Sequence, residues 1–486
     1  CERLEFYAIQ IPGLYRLPPA HRERKIAEHI AAYDTGEAKY VARRRHAEAV
    51  NRYLRGAYSL LKSGNQDLYK AFSERILGLV RDGGRLGVVL PRGAFSGEGT
   101  ADFRSALFGA AAKLELDAVL NNRQWMFPDV HPQYTIILAN GLISSETRER
   151  ELGIAGPAPN RDAFDQLDAE RVRWSVDELK RSIPDLAVPL LPTQRTARMF
   201  QKMVMSHPRF DSARSGWRAV PWRELDVTND RQGGLLKTAE ELGGAGWPAY
   251  GGSSFDLWKP EAWRDDPESL KFWVDPAKGV PALQRKRAGS PVWRSNFARS
   301  QYASEDSLPV WRPRILFRKI TNRTNSRTTI AALAPPHVFA HDPACSLLWP
   351  MGDENDVSFV LGVMSSIPFD WIARRRVEVN LNFFILEGLR LPQFSDAQYE
   401  TIGRAAARLS CVDERFADFA EATGVEYGPL SPDERESLRL EIDAQVAAAW
   451  KLDLDDLEVV LSDFTFDAVP EAYRERLRAR LAELRG

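Results

Sequence analysis

Between Arg312 and Thr328 the chain strings together arginine, asparagine and threonine without a single acid: Arg312-Pro313-Arg314-Ile315-Leu316-Phe317-Arg318-Lys319-Ile320-Thr321-Asn322-Arg323-Thr324-Asn325-Ser326-Arg327-Thr328. These side chains suit nucleic acid. A guanidinium forks onto guanine, a carboxamide pairs with adenine, and a hydroxyl or backbone amide holds a phosphate. Arg314, Arg318, Asn322, Arg323, Asn325 and Arg327 are therefore candidate contacts to double-stranded DNA. The alternative is a solvated charged face, the usual fate of a charge run. Residues 281–330 hold eleven Lys/Arg against Glu305 and Asp306, a net of +9, whereas residues 396–486 carry a net of −10. The overall formal charge of −1 thus conceals a basic block beside an acidic tail, which confines a polyanion contact to one region.

Other chemistries find little support. His337, His341, Asp342 and Cys345 lie close in sequence, but Pro335-Pro336 precede them and Val338-Phe339-Ala340 reads as a strand, so no metal is expected there. No Ser/His/Asp or Cys/His nucleophile arrangement is legible, nor a phosphate-binding P-loop. Asp265-Asp266 reads as a pair of loop charges. Cys1, Cys345 and Cys411 form no CxxC pair, which fits a reducing cytoplasm better than a disulfide framework. No apolar run approaches the roughly 20 residues a membrane span needs.

The elements that must position these residues fall into three stretches. Residues 1–60 read as helices and loops. From Gly64 the run Gly64-Asn65-Gln66-Asp67-Leu68-Tyr69-Lys70-Ala71-Phe72 opens an amphipathic helix that stops at Asp82-Gly83-Gly84-Arg85, both glycines serving a left-handed turn. A buried strand, Leu86–Pro91, follows. The polar loop Arg92–Thr100 comes next, then a short helix over Ala101–Phe108 and strands over Leu114–Asn121 and Tyr134–Leu138. The loop after Leu86–Pro91 lies where open α/β sheets take ligands, and its glycines would let backbone approach a phosphate; a plain surface turn is the alternative. Helix, Gly-Gly stop and buried strand make half of a doubly wound sheet. The composition changes at Gly153–Pro159, and residues up to 395 are rich in Trp, Pro and Gly with short strand-like runs. From Ser395 helical periodicity dominates, as in Leu438–Trp450. The fold expected is α/β: the second half of a doubly wound, Rossmann-like sheet in residues 1–150, a mixed α+β domain in 151–395, and a helical region in 396–486. Residue 1 is Cys1 rather than Met, and Glu2-Arg3-Leu4-Glu5-Phe6-Tyr7 reads as interior sequence rather than a lipoprotein tether, so an earlier segment is expected.

Asp67-Leu68-Tyr69-x-x-Phe72, Gly83-Gly84-Arg85-Leu86-Gly87-Val88-Val89-Leu90-Pro91 and Phe127-Pro128-Asp129-Val130, in that order, resemble the second half of a gamma-class DNA adenine-N6 methyltransferase. The likeness is to the methyltransferase part of type IIG restriction–modification enzymes and related phage-defence methylases. Arg223–Arg231 and Tyr250–Asp256 resemble the entry to that family's target-recognition domain, and Arg312–Thr328 its basic segment. Leu361–Ser366, Phe369-Asp370-Trp371 and Asn380-Leu381-Asn382-Phe383-Phe384 complete the pattern, which spans roughly residues 60–395.

The resemblance implies S-adenosylmethionine as cofactor, with Asp67, Tyr69 and Phe72 near its adenosine end. For Leu68, Phe72 and Ile76 the other reading is a buried helical stripe. It implies that Phe127 stacks against an adenine extruded from the duplex; a core aromatic is the alternative, and Trp125 competes for the role. It adds Asn380 and Asn382 to the DNA contacts. The family's Asn-Pro-Pro-aromatic catalytic loop and glycine-rich cofactor loop do not occur here, so the chain alone is expected to be inactive. Two further readings stay open: a bifunctional enzyme with a nuclease domain upstream, and a non-catalytic DNA-recognition subunit working with defence-system partners.

Overall fold

The computed structural model describes residues 3–33, 36–61, 67–132, 134–146, 149–205, 207–210, 219–290, 307–349 and 352–486. The fold is mixed α/β, with several sheets and many helices. The chain divides into two compact units: Cys1–Leu114 with Ala139–Glu151 and Asp185–Ala187, and Glu115–Leu138 with Leu152–Pro184 and Val188–Gly486. The expected helical region from 396 onward is therefore not a separate body. Its helices Asp396–Ser410 and Pro432–Ala449 pack on each other, and on the helices Glu354–Ser365 and Ile367–Arg376 respectively.

In the first unit the helices Arg3–Ala8, Pro19–Ala32 and Gly36–Ala57 gather around Tyr7, Leu14 and Ile26. Gly64, Asn65 and Gln66 lie outside the described residues. The next helix runs Leu68–Leu79 with Asp67 at its N-cap. Gly83 turns the chain at φ +71° and its amide donates to Ile143 O at 2.9 Å. Gly84 has no positive φ, contrary to expectation. It is needed for space, since a Cβ there would lie 2.7 Å from Arg81 O. Strand β1 (Arg85–Pro91) follows. It stands at one edge of a five-stranded sheet whose order is β1-β3-β2-β4-β5, with β2 at Ala111–Leu120, β3 at Thr135–Ile143, β4 at Glu151–Ala158 and β5 at Val172–Ser175, and whose strands are divided between the two units.

The second unit adds two smaller sheets. One has the order β10-β9-β12-β6, formed by β6 (Val220–Trp222), β9 (Arg314–Arg318), β10 (Ala331–Ala334) and β12 (Ala344–Leu348). Its pairs are antiparallel, and Phe317 stands opposite Ala331 on one side and Cys345 on the other. The other sheet has the order β11-β7-β8, from β7 (Trp247–Tyr250), β8 (Phe272–Val274) and β11 (Phe339–Ala340). Two apolar clusters fill the space around these sheets, one including Trp222, Leu236 and Phe339, the other Tyr250, Phe255 and Leu316. Among the described residues no single helix is long and apolar enough to cross a membrane.

Candidate functional site

The loop between β2 and β3 is built on one side chain. Asn121, fully buried at the end of β2, donates through Nδ2 to Phe127 O (2.8 Å) and Val130 O (2.9 Å). Its Oδ1 accepts the Phe127 amide at 3.0 Å. A carboxamide offers two donors and two lone pairs, so one residue replaces a whole set of backbone partners. The loop also holds Arg123 and Gln124 at φ 55° and 58°, a left-handed pair that non-glycine residues rarely adopt and that clusters at functional sites. Phe127 is held at the centre of this frame, half-buried, and no ring contact to it is found among the described residues. Trp125 is differently used. Its indole N–H donates to Leu120 O at 2.9 Å, and its ring meets Phe164 edge-on at 6.3 Å. Of the two aromatics, Trp125 braces the loop through its indole, and Phe127 is held by its backbone and is half-buried.

The residues assigned to a cofactor sit on the helix Leu68–Leu79, and that helix faces the other way from a simple amphipathic reading. Leu68, Phe72 and Leu79 are 60%, 65% and 66% exposed, whereas Lys70, Ala71 and Ser73 are buried. The stripe of Leu68, Phe72 and Ile76 is thus not core. Asp67 is exposed and its carboxylate does not cap the helix. Tyr69 points inward. Burial first, then the neighbouring Asp67 charge, push its phenol up to about 12, against the opposing pull of Arg104. Its hydroxyl lies 3.6 Å from where a Cβ on Gly93 would stand. The loop after β1 is not an open glycine loop. It forms a short helix, Gly93–Ser96, and a 3₁₀ turn, Glu98–Thr100. Arg104, fully buried, locks it by donating to Gly97 O (2.6 Å) and Thr100 Oγ1 (2.8 Å). Several of its backbone amides are already engaged, among them Phe95 N and Ser96 N to Arg92 O (2.8 and 3.0 Å) and Gly97 N to Gly93 O (2.9 Å).

The basic segment separates into two kinds of residue. Arg314 is 2% exposed and forms a bidentate pair with the buried Glu224, at 2.7 and 2.9 Å, plus a bond to Val338 O at 2.8 Å. Arg327 is buried too, donating to Asp370 Oδ2 (2.9 Å) and Ser365 O (2.6 Å). Both stand in buried ion pairs rather than on an exposed surface. Arg318 is half-buried, bonded to Phe255 O and 3.5 Å from Asp256. The reason is the strand: β9 is central in its sheet, so its side chains face packed layers rather than water.

Past β9 the segment emerges as a loop. Asn322 Oδ1 accepts from the amide and hydroxyl of Thr324, both at 3.0 Å, and Asn325 is exposed. This loop pairs with the stretch before the helix Phe383–Gly388: Ile320 bridges Asn380, and Leu381 N donates to Lys319 O at 2.7 Å. Asn322, Arg323, Asn325, Asn380 and Asn382 are thereby brought onto adjoining loops. Glu378, in the same stretch, accepts the Thr135 amide at 2.7 Å, which ties these loops to the far end of the Phe127 loop. Arg374, Arg375 and Arg376 are buried on the helix Ile367–Arg376.

Two buried acids organise the whole region. Glu224 serves Arg314, the Ala340 amide (2.8 Å) and Ser346 Oγ (2.5 Å). Asp370 serves Arg327, Arg374 (2.9 Å) and the amides of Thr328 (2.9 Å) and Thr329 (3.1 Å). Burial alone would raise the Asp370 pKa, but the charges of Arg327 and Arg374 and their hydrogen bonds hold it below the ordinary value. The signal for Glu224 lay in β9 itself: a strand reading Arg-Ile-Leu-Phe-Arg inside a sheet requires a buried counter-charge elsewhere. His341 is bonded through Nδ1 to Asp342 O at 2.8 Å, and His337 packs on Trp247 at 4.6 Å.

No protein-family model matches the chain, and no curated protein matches it either. Among solved structures the chain is similar to the type IIL restriction-modification enzyme MmeI in complex with DNA, at 14% identity and a TM-score of 0.41, covering 84% of this chain and 52% of that one. It is also similar to the type IIG restriction endonuclease BpuSI, at 15% identity and a TM-score of 0.29, covering 86% and 51%. A third is a nuclease-deletion mutant of the type ISP restriction-modification enzyme LlaGI in complex with a DNA substrate mimic, at 8% identity and a TM-score of 0.35, covering 74% and 39%. The chain spans about half or less of the length of these three.

Proposed function

We propose that this chain carries the base-holding and DNA-reading part of an S-adenosylmethionine-dependent DNA adenine-N6 methyltransferase in a restriction–modification or phage-defence system. The observation that carries the reading is the Asn121-pinned loop, which fixes the backbone of a half-buried Phe127. An exocyclic amine inside a duplex is out of reach until its base leaves the stack, and an extruded base needs a planar surface to rest on. Phe127 provides that surface, worth about 1–3 kcal/mol by analogy with other base–aromatic stacks. The loops bearing Asn322, Arg323, Asn325, Asn380 and Asn382 adjoin it through Glu378 and hold the duplex while the base is out.

Of the residues assigned to S-adenosylmethionine, Tyr69 points into the fold, and Phe72 and Asp67 support a contact to its adenosine end. Phe72 would present its exposed ring to a planar base, and Asp67, whose carboxylate does not cap the helix, would face sugar hydroxyls. When bound, the cofactor supplies an electrophilic methyl group. The residues of this chain hold and orient the reactants. A complete site also needs a group to bind the adenine amine, and no Asn-Pro-Pro motif occurs in this sequence. The open edge of β1, with Leu68, Phe72, Leu79 and Val89 all more than half exposed, supports a reading in which further strands and helices pack there. An open strand edge beside apolar surface invites pairing or packing by further chain.

The test is product analysis. The complete protein that carries this chain is incubated with duplex DNA and S-adenosylmethionine, and the digested DNA is assayed by mass spectrometry. N6-methyladenine is expected. Methylated cytosine, or no methylated base, refutes the assignment.

A further inference from the structure

Among the described residues of the second unit, Arg323 carries a buried guanidinium nitrogen, Nη2, without an acceptor. It makes no hydrogen bond or ion pair among those residues. The guanidinium borders a cavity of about 360 Å³ whose walls include Pro157, Pro159, Leu190, Thr324 and Asn325. Two other arginines border the same space, and both are committed. Arg374 donates to Asp370 Oδ1 (2.9 Å) and to the carbonyls of Asp463 (2.7 Å), Asn325 (2.8 Å) and Ser326 (2.9 Å). Arg375 is paired with Asp463.

An unpaired buried charge is expensive, and an orphan polar atom at a cavity wall calls for a ligand or a water. Water satisfies a donor but leaves the charge uncompensated. Burial, and then the like charge of Arg374, lower the Arg323 pKa to about 10 despite the pull of Glu378. An anion entering the cavity would relieve both costs. Among anions, the planar fork of a guanidinium matches a phosphate, with two parallel N–H groups on two oxygens. The cavity holds roughly ten times the ~30 Å³ share of one water, so a phosphate fits with its attached sugar against the proline walls. Leu120 also lines it, one residue before the Asn121 that pins the Phe127 loop.

We propose that this cavity is a phosphate site, and that its occupant is a DNA backbone phosphate next to the extruded nucleotide. The source of the phosphate rests on the DNA reading above; the site itself does not. It is tested with Arg323→Met and Arg323→Lys in the 486-residue chain. Melting is followed with inorganic phosphate against sodium chloride at matched ionic strength, and duplex binding is followed over a range of salt. Phosphate should stabilise the wild type. Without phosphate, Arg323→Met should melt no lower than wild type, since it removes an unpaired charge. It should also lose the phosphate response, and its log–log salt slope for duplex should fall by about 0.9. Arg323→Lys should keep part of both. Loss of the phosphate response with an unchanged slope assigns the site to free phosphate and overturns the DNA occupant. A lower melting temperature with both responses intact makes Arg323 a structural residue and overturns the site. Failure of the methyltransferase reading appears instead as wild-type protein that yields no methylated base, which leaves these two readouts unaffected.

Discussion

Asn121 illustrates how much one buried carboxamide can decide. It spans Phe127 and Val130 through three short hydrogen bonds, so Asn121→Ala strands the Phe127 amide and leaves the Phe127 and Val130 carbonyls only their longer bonds to Val130 N and Gln124 Nε2. A loss of about 1–3 kcal/mol is expected, visible as a lower melting temperature and as faster proteolysis between Asn122 and His131. Unchanged proteolysis would mean the loop is held by Trp125 instead. The arginines of the basic segment divide at the same scale. Arg314→Ala and Arg327→Ala each leave a buried carboxylate, Glu224 or Asp370, without its partner. Breaking such a pair costs about 3–5 kcal/mol. Both variants should therefore lose stability in chemical denaturation, and where they fold, their salt slope for duplex should match wild type. A reduced slope in a stably folded Arg314→Ala protein would return that residue to the DNA surface.

At the scale of elements, local pattern was legible and orientation was not. The turn at Gly83, the strand after it, the helix Ala101–Ala110 and β2 and β3 follow the sequence reading to within a few residues, because apolar periodicity and glycine stops are local signals. The helix Leu68–Leu79 was read correctly as a helix, yet periodicity could not say which face is covered, and the side with Leu68 and Phe72 is the open one. The segment from Arg312 to Thr328 was read as one basic surface because composition treats a strand and a loop alike. The sheet then buries Arg314 on β9 and leaves Asn322 and Asn325 outside. Asp370 gives this element-level account a pH signature. Its folded pKa is depressed, so its stabilisation is complete above the unfolded carboxylate value of about 3.9 and is lost as pH falls through the folded value. The wild-type melting temperature should therefore drop on acidification below about pH 4. Asp370→Asn should be less stable near pH 7 and should show a shallower acid decline. Parallel acid profiles for the two proteins would remove Asp370 from the account.

For the whole molecule, the sequence separated an α/β stretch from a mixed region and a helical tail, but the two compact units divide elsewhere, because the helices after Ser395 are packed onto those of the preceding region. Cys411, at the end of the helix Asp396–Ser410, and Cys345, on β12, are both buried. Burial pushes the Cys345 and Cys411 thiols up to about 12. In the native protein neither should alkylate at pH 8, and both should after unfolding, as peptide mass mapping will show. Native labelling of Cys411 would mean the helical region opens as a unit. The central claim concerns what Phe127 does, and single-turnover methyl transfer by the complete protein tests it most directly. Phe127→Ala should slow transfer to adenine by roughly 5- to 150-fold, the equivalent of about 1–3 kcal/mol of stacking, at an unchanged melting temperature. Trp125→Ala should mainly lower the melting temperature. A Phe127→Ala protein that methylates adenine at the wild-type rate would contradict the account.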